Sequence, residues 1–500
     1  MTAYGRPGVY ITERLLPAPI ASSGTAEAAG AVLGVFPQGT ENVTLVTSWY
    51  EFTKRFGGYN NAYPATFGVG HFFQNGGNEL YVRRVLADDA SFASVSIPST
   101  NIIEDSSSVG SKSRGVDGNN LRVQLTASTQ PNYYDLTVYK ETVPGTGSNV
   151  ANDLILERYT NLVFNNRDSS DFIETVVNLQ SEFISWSVLD ITGTPSIAVI
   201  PLIGGSDGTD PTASEFEGAL QTLSSADRPL VLFVSGIVET LGATDAASVY
   251  NSCIAWAEDH NGFVLVETAA GISASAALTY AGTLTDSSQA AVYYPHLYIS
   301  DPLGRSPQSI RKVGPAGAVA GLYLSTDKQY GPFKAPAGTR ASISGALSLE
   351  SAFTSAELDN LNSGSSPVNA IRNLPGVGVV VMGARTLQQD GTVNKYVNMR
   401  RSLIFIKKQL NDLTQFALFE NNDEVLWSRI RGSLAVFLGE YKNQGGLRGD
   451  TEADAFYVKV DAENNPQSSI GLGEVHIEVG VALQYPAEFV VINLSQITSA

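Results

Sequence analysis

Between Gly204 and Ile299 the chain alternates short, largely apolar runs with stretches of helical character, and that alternation limits the fold more than any other feature. After a helical pattern near Thr212 to Leu223 come the run PLVLFVS, a helical segment from Asp245 to Asp259, the run FVLVE from Phe263, and a further helix and strand up to Ile299. A strand that is apolar at every position must be covered on both faces, and strands joined through helices lie parallel in one sheet. The same texture occurs earlier. AVLGVF from Ala31 reads as a buried strand, Trp49 to Phe56 as a short helix, and HFFQNGGNELYVRRVL as a helix end, an Asn75-Gly76-Gly77 turn and a strand from Leu80 to Val85. An α/β domain made of residues 23–92 and 201–340 is therefore expected.

Residues 93–200 interrupt it with Ser, Asn, Thr and Gly and with short alternating runs such as LRVQLTA from Leu121 and YDLTVYK from Tyr134. This is the pattern of a β-rich insertion, with one helix near Asp171 to Phe183. The segment GPFKAPAGTR, residues 331–340, has the Pro/Gly punctuation of a linker, so an α+β C-terminal domain is expected over 341–485. In it a helix begins after Asn421-Asn422, with Asp423 and Glu424 suited to its N-terminus and Leu426, Ile430, Leu434, Phe437 and Tyr441 as its apolar stripe. EVHIEVGV from Glu474 alternates as a half-buried strand does.

Both ends look like arms, residues 1–22 and 486–500. Val9, Tyr10 and Ile11 lie in a strand-like run that Pro7, Pro17 and Pro19 confine, and Phe489, Val490, Val491 and Ile492 follow the break at Pro486. Such peptides either pair within their own domain or add to the sheet edge of another molecule, where their backbone N–H and C=O groups find partners.

The net charge of −18, from 31 basic and 49 acidic residues, argues against nucleic acid or anionic lipid as a main partner. Against this background the stretch Lys395 to Lys408, KYVNMRRSLIFIKK, carries five positive charges and no carboxylate. Met399, Leu403, Ile406, Leu410 and Leu413 fall on one helical face and leave Arg400, Arg401, Lys407 and Lys408 on the other, with Ile404 among the cations. The pattern suits a contact with an acidic protein partner, or equally a solvated face with one stray isoleucine.

Motifs for chemistry are sparse. No G-x-x-x-x-G-K-[ST] occurs, and GVGVVVMG from Gly376 lacks the third glycine and helical context of a dinucleotide cradle. His71, His260, His296 and His476 are far apart, without H-E-x-x-H spacing, and Cys253 alone can form neither an internal disulfide nor a thiolate metal cluster. The N-terminus lacks the apolar core of a signal peptide and no run of about 18 apolar residues could span a bilayer, so folding in a cytoplasm is expected. The best enzymatic reading uses Glu267 and Asp301, near the C-terminal ends of predicted strands, with His260 and Ser235. No G-x-S-x-G elbow accompanies the serine, and Asp301-Pro302 is ordinary turn chemistry.

Several longer segments carry a family likeness: YYPHLYISDP from Tyr293, VGPAGAVAGLYLSTDKQYGPFKAPAG from Val313, LNSGSSPVNAIRNLPGVGVVVMGARTL from Leu361, and the stretch from Lys395 through LRG at 447–449. Together with PGVYITE from Pro7 and FFQNGGNELYVRRV from Phe72, they make the chain resemble the tail sheath proteins of contractile bacteriophages nearly end to end, most weakly over 93–200. Met382 departs from the pattern, since relatives often carry Trp there. The resemblance implies a subtilisin-like α/β domain without a working active site, a β-rich outer insertion and an inner C-terminal domain facing the tail tube. It also implies terminal arms that join strands of neighbouring subunits in stacked six-fold rings. On that basis Arg400, Arg401, Ile404, Lys407 and Lys408 become candidate tube-facing residues, and Val9 to Ile11 and Phe489 to Ile492 candidate arm strands. The implied partners are further copies of the chain, the tube protein, and baseplate and tail terminator proteins, in a virion assembled in the host cytoplasm. Neither a cofactor, nor nucleic acid, nor membrane insertion is implied. The sheath of a headless device, pyocin-like or type VI-like, is the nearest alternative, and a hydrolase on the subtilisin-like domain the alternative from another class.

Overall fold

The computed structural model describes residues 27–98, 105–142, 150–189, 191, 195–364, 366–388 and 393–488. They fall into two compact units, residues 28–404 with 485–488, and residues 405–484.

The larger unit is built on an eight-stranded sheet. Its spatial order is Gly378–Val381, Val368–Leu374, Ala290–Tyr294, Phe263–Glu267, Leu230–Phe233, Ala29–Gly34, Leu80–Arg84, Thr44–Val46. The six inner strands are parallel and the two outermost pair antiparallel. Every residue of the strands Ala29–Gly34, Leu230–Phe233, Phe263–Glu267 and Ala290–Tyr294 is buried, as suits their apolar sequences, Glu267 being the one charged member. Because successive side chains point to opposite faces, alternate residues sort into two cores. Ala31, Leu33, Leu232, Val264, Val266 and Val292 meet the helices Ala213–Gln221, Ala243–His260 and Ala274–Ala281. Val32, Phe233, Leu265 and Tyr293 meet Trp49–Phe56, Ala65–Gln74 and Ala316–Tyr330.

On the second face two helices touch through their backbones. A Cβ placed on Gly317 would lie 2.1 Å from the carbonyl oxygen of Gly68, and one on Gly321 2.3 Å from that of Phe72. These glycines, one helical turn apart, form the flat strip against which Ala65–Gln74 rests.

The described residues between 92 and 201 form two further antiparallel sheets with a core of their own. Phe92–Pro98, Asp105–Arg114 and Ile184–Val188 make one antiparallel sheet; Val199–Pro201, Leu121–Ala127, Tyr134–Lys140 and Leu154–Leu162 make another. Leu121, Val123 and Leu125 point inward with Leu136, Val138, Trp186 and the helix Ile173–Gln180. Arg84, at the sheet end where the insertion departs, is buried and fixes its base. Its guanidinium donates to the carbonyls of Phe36 and Gly39, both at 3.0 Å, and of Arg114 at 2.6 Å, and reaches Asp207 Oδ1 at 3.3 Å. Asp207 also accepts from Tyr63 Oη at 2.9 Å, so both chain crossings of the insertion converge on one charged pair.

The boundary expected at residue 341 moves. Residues 341–404 belong with the sheet: Val368–Leu374 joins it in parallel with Ala290–Tyr294. The supposed linker runs beside its edge, where Gly338 N donates to Val381 O and Ile343 N to Val379 O, each at 2.8 Å. Pro and Gly here shape an edge connection, not a domain junction.

In the smaller unit the helix Glu424–Asn443 begins where expected, Asp423 accepting from the amides of Val425 and Leu426 at 3.0 and 2.9 Å. Leu426, Trp427, Ile430 and Leu434 form a core with Leu413 and Val460, while Phe437 is partly buried against it. The expected strand from Glu474 shortens to Glu478–Val481, which pairs antiparallel with Phe456–Lys459.

The Gly317 contact gives a direct test. Gly317→Val forces a branched side chain into a backbone carbonyl that cannot give way, and should destabilise the larger unit by roughly 3 kcal/mol or prevent its folding. Gly218→Val, at a helical position with open space around the Cβ, should cost much less in the same denaturant titration.

Candidate functional site

The basic stretch is helical over Val397–Thr414, but its cations are mostly engaged. Ile404, expected to face outward among them, is 5% exposed and lies in the second sheet core. Arg401 is 4% exposed; both its terminal nitrogens grip Asp327, one at 2.8 Å, and its guanidinium lies 4.7 Å over the Tyr323 ring. Arg400 donates to Gln289 Oε1, and burial lowers its pKa. Lys408 pairs with Asp412 at 2.9 Å, one turn along the helix, and Lys407 is exposed. The expected outward stripe is thus corrected for Arg401 and Ile404, which are internal. The predicted apolar face exists as well: Met399, Ile406 and Leu413 are buried. A helix packed on more than one side defeats a reading that grants it a single buried face.

The candidate arm strands Val9, Tyr10, Ile11 and Phe489, Val490, Val491, Ile492 lie outside the described residues. In the smaller unit the two-stranded sheet pairs with no third strand among the described residues. The same unit carries an apolar tip that sequence reasoning passed over. Leu418, Phe419 and Val425 are exposed, and Phe419 has φ 64°. A bulky residue in the left-handed region is strained, and the run ALFENND gives no warning of it.

The crevice at the C-terminal ends of the parallel strands is closed by its own residues. Glu267, wholly buried, ends the strand Phe263–Glu267. Its Oε1 accepts from Gly236 N at 2.6 Å and its Oε2 from Ala316 N, the first residue of the helix Ala316–Tyr330, at 3.4 Å. A Cβ on Gly314 would lie 2.0 Å from Oε2, so only glycine leaves the carboxylate room. Burial, with the nearby Glu239 charge, pushes the Glu267 pKa up to about 7. His296, which the sequence left isolated, sits beside it with Nε2 3.3 Å from Glu239 Oε1 and Nδ1 4.0 Å from Glu350 Oε2. Burial disfavours the imidazolium, but Glu239 and, through space, Glu267 outweigh it and raise the His296 pKa.

The other candidate catalytic residues do not join this cluster. Asp301 is held by Arg311 Nε and Nη2, both at 3.1 Å. His260 stacks on Trp256 at the end of the helix Ala243–His260, before the strand whose far end carries Glu267. Ser235 packs against the helix Ala65–Gln74, its Oγ 2.1 Å from where a Gly68 Cβ would stand. Among the described residues no three His, Cys, Asp or Glu side chains are grouped to hold a metal ion, and no helix is long and apolar enough to cross a membrane.

No family model matches the chain. The tail sheath protein of Vibrio phage KVP40 is 30% identical over 179 residues, which cover 36% of this chain and 26% of that protein. The tail sheath protein of Enterobacteria phage T4 is 26% identical over 299 residues, covering 55% of this chain and 43% of that protein. The chain is similar to the tail sheath proteins of contractile phages. Its alignments span less than half the length of either phage relative. Among solved structures, a sheath tail protein from Listeria innocua has a TM-score of 0.64 at 12% identity, covering 91% of this chain and 95% of its own. The helical sheath of the anti-feeding prophage in its contracted state has a TM-score of 0.59 at 20% identity, covering 99% of this chain and 100% of its own. The contracted sheath complex of the PVC extracellular contractile injection system has a TM-score of 0.57 at 20% identity, with 99% of each chain covered. At these identities the structures show the sheath fold.

The buried cluster predicts how the larger unit responds to pH. A carboxyl whose folded pKa, about 7, exceeds its unfolded value of about 4.5 loses stability as pH rises between the two, and the raised His296 pKa acts in the same sense. Glu267→Gln should therefore melt progressively higher relative to the parent chain as pH rises from about 5 to 8, by a few degrees at the upper end. A difference in Tm that does not change with pH would remove Glu267 from the account.

Proposed function

We propose that this chain is the structural subunit of a phage contractile tail sheath, polymerising as stacked six-fold rings around a tail tube. Contraction by subunit repacking then drives the tube through the host envelope. The observation that carries this reading is the sequence relationship to two phage tail sheath proteins. The structural likeness to the sheaths of extracellular injection systems agrees in fold, but at 20% identity does not favour a headless device over a phage.

A subtilisin-like description of the sheet body and a non-enzymatic role are part of the same reading. In support, Glu267 occupies the helix N-terminus at the sheet crevice, and the hydrolase candidates Ser235, His260 and Asp301 are spent on separate structural contacts. A sheath that burns no fuel stores its work at assembly, in an extended lattice that relaxes to one of lower free energy.

The arms then join subunits by strand addition to neighbours, because backbone pairing tolerates the side-chain slippage that repacking brings. The tube, a baseplate and a tail terminator are the further partners, and the virion tail the location. On the basic helix Arg401 and Ile404 set the helix in place, so the tube contact falls chiefly to the exposed Lys407, with Lys408, paired to Asp412, and Arg400 partly withdrawn. Such exposed charges are individually weak and screened by salt, as suits a contact that must be released.

Two outcomes test this reading by negative-stain microscopy of the chain coexpressed with its tube protein. The full chain should form helical tubes, and removal of residues 1–22 and 486–500 together should abolish them; tubes that persist and still shorten would refute strand exchange. Lys407→Glu with Lys408→Glu should reduce the fraction of tube that is sheathed several-fold at low salt and by less at high salt, whereas unchanged sheathing would exclude these lysines.

A further inference from the structure

The last described residues of the chain are bound to the sheet body by one arginine. Arg385 Nε donates to Glu488 Oε1 at 2.8 Å and Arg385 Nη2 to Glu488 Oε2 at 2.7 Å, a two-pronged pair across 103 positions of sequence. The third prong, Nη1, donates at 2.7 Å to the carbonyl of Asn362 in the last turn of the helix Ser355–Ser363. Both members of the pair are largely shielded from water, with side-chain exposures of 18% and 22%. Planar, bidentate pairing of this kind is stronger and more directional than a single exposed contact.

The arginine is itself held in advance. Its backbone N–H donates to Asn369 Oδ1 at 2.7 Å, while Asn369 Nδ2 donates to the carbonyls of Arg385, at 2.8 Å, and Val292, at 3.1 Å. Asn369 is buried within the strand Val368–Leu374, and Gly383 lets the loop pass over it, since a Cβ there would lie 2.6 Å from Asn369 Oδ1. With its backbone fixed by a buried amide and its Nη1 held by the Asn362 carbonyl, the guanidinium loses little freedom when it takes a carboxylate. The chain enters this grip immediately after leaving the smaller unit at residue 484.

Phe489 to Ile492 follow Glu488 directly, so the departure point of that apolar segment is fixed beside Arg385 whatever it binds. We propose that the Arg385–Glu488 pair is an anchor that sets where the C-terminal arm leaves its own subunit and holds it when the arm is engaged by another. The proposal rests on the sheath reading for the arm's use, and on geometry alone for the anchor. Fixing the first residue of an arm raises the effective concentration of the rest at a defined target, and under load it keeps the pull from unzipping the arm from its own body.

Glu488→Ala tests it, since Arg385 keeps Asn362 as a partner and the body should stay folded; Glu488→Asp, which retains the charge, is the rescue. Amide hydrogen exchange at residues 485–488 of the unassembled full chain should speed up about tenfold or more in Glu488→Ala and much less in Glu488→Asp. With the tube protein present, tube yield should fall several-fold in the first variant and recover in the second. Equal exchange in parent and Glu488→Ala would overturn the anchor. Faster exchange with undiminished tubes would overturn its role in assembly. If the parent chain forms no tubes at all, the sheath reading fails, while the exchange comparison still decides the anchor.

Discussion

Two-sided burial of a parallel sheet is the constraint on which the rest of the larger unit depends. Six parallel strands must be connected by segments that cross its faces, and covering both faces demands helices that approach closely. Where Ala65–Gln74 and Ala316–Tyr330 lie together, side chains are dispensed with altogether, and Gly317 and Gly321 meet the carbonyls of Gly68 and Phe72. Helix Ala316–Tyr330 then fixes much else. Its first amide receives Glu267, and its last turn supplies Asp327 to Arg401.

The same packing fills the place where folds of this kind often carry a ligand. Open α/β sheets present ligands to helix N-termini at the C-terminal ends of their strands. In this chain a side chain of the protein takes that position. Glu267 accepts from the backbone amides of Gly236 and Ala316, and His296, Glu239, Glu350 and Lys312 make further ion pairs beside it.

Rigidity at the branch points follows a common design. Arg84 holds the base of the insertion by three carbonyls and Asp207, and Arg385 holds the last described residues by a carbonyl of the helix Ser355–Ser363 and Glu488. In each case a guanidinium spans strands and loops that are distant in sequence. Its fixed planar fork suits that task better than an ammonium, which offers a charge without a direction.

Strands, helices and the β-rich character of residues 93–200 were legible because each is written in local periodicity: unbroken apolar runs for the sheet, alternation for Leu121–Ala127, a cap and a stripe for Glu424–Asn443. The sequence likewise carried the family, through long segments whose order and spacing no short motif could supply. It did not disclose which charges face outward. Arg401 and Ile404 look surface-bound on a helical wheel, and only the folded chain brings Asp327 and Tyr323, from another helix, to bury them. Nor did it reveal that residues 341–404 belong to the sheet, that His296 stands beside Glu267, or that Arg385 meets Glu488. Periodicity reports how one segment divides between water and interior, whereas ion pairs and sheet order join segments tens to hundreds of residues apart, and their partners are fixed only when the tertiary structure closes.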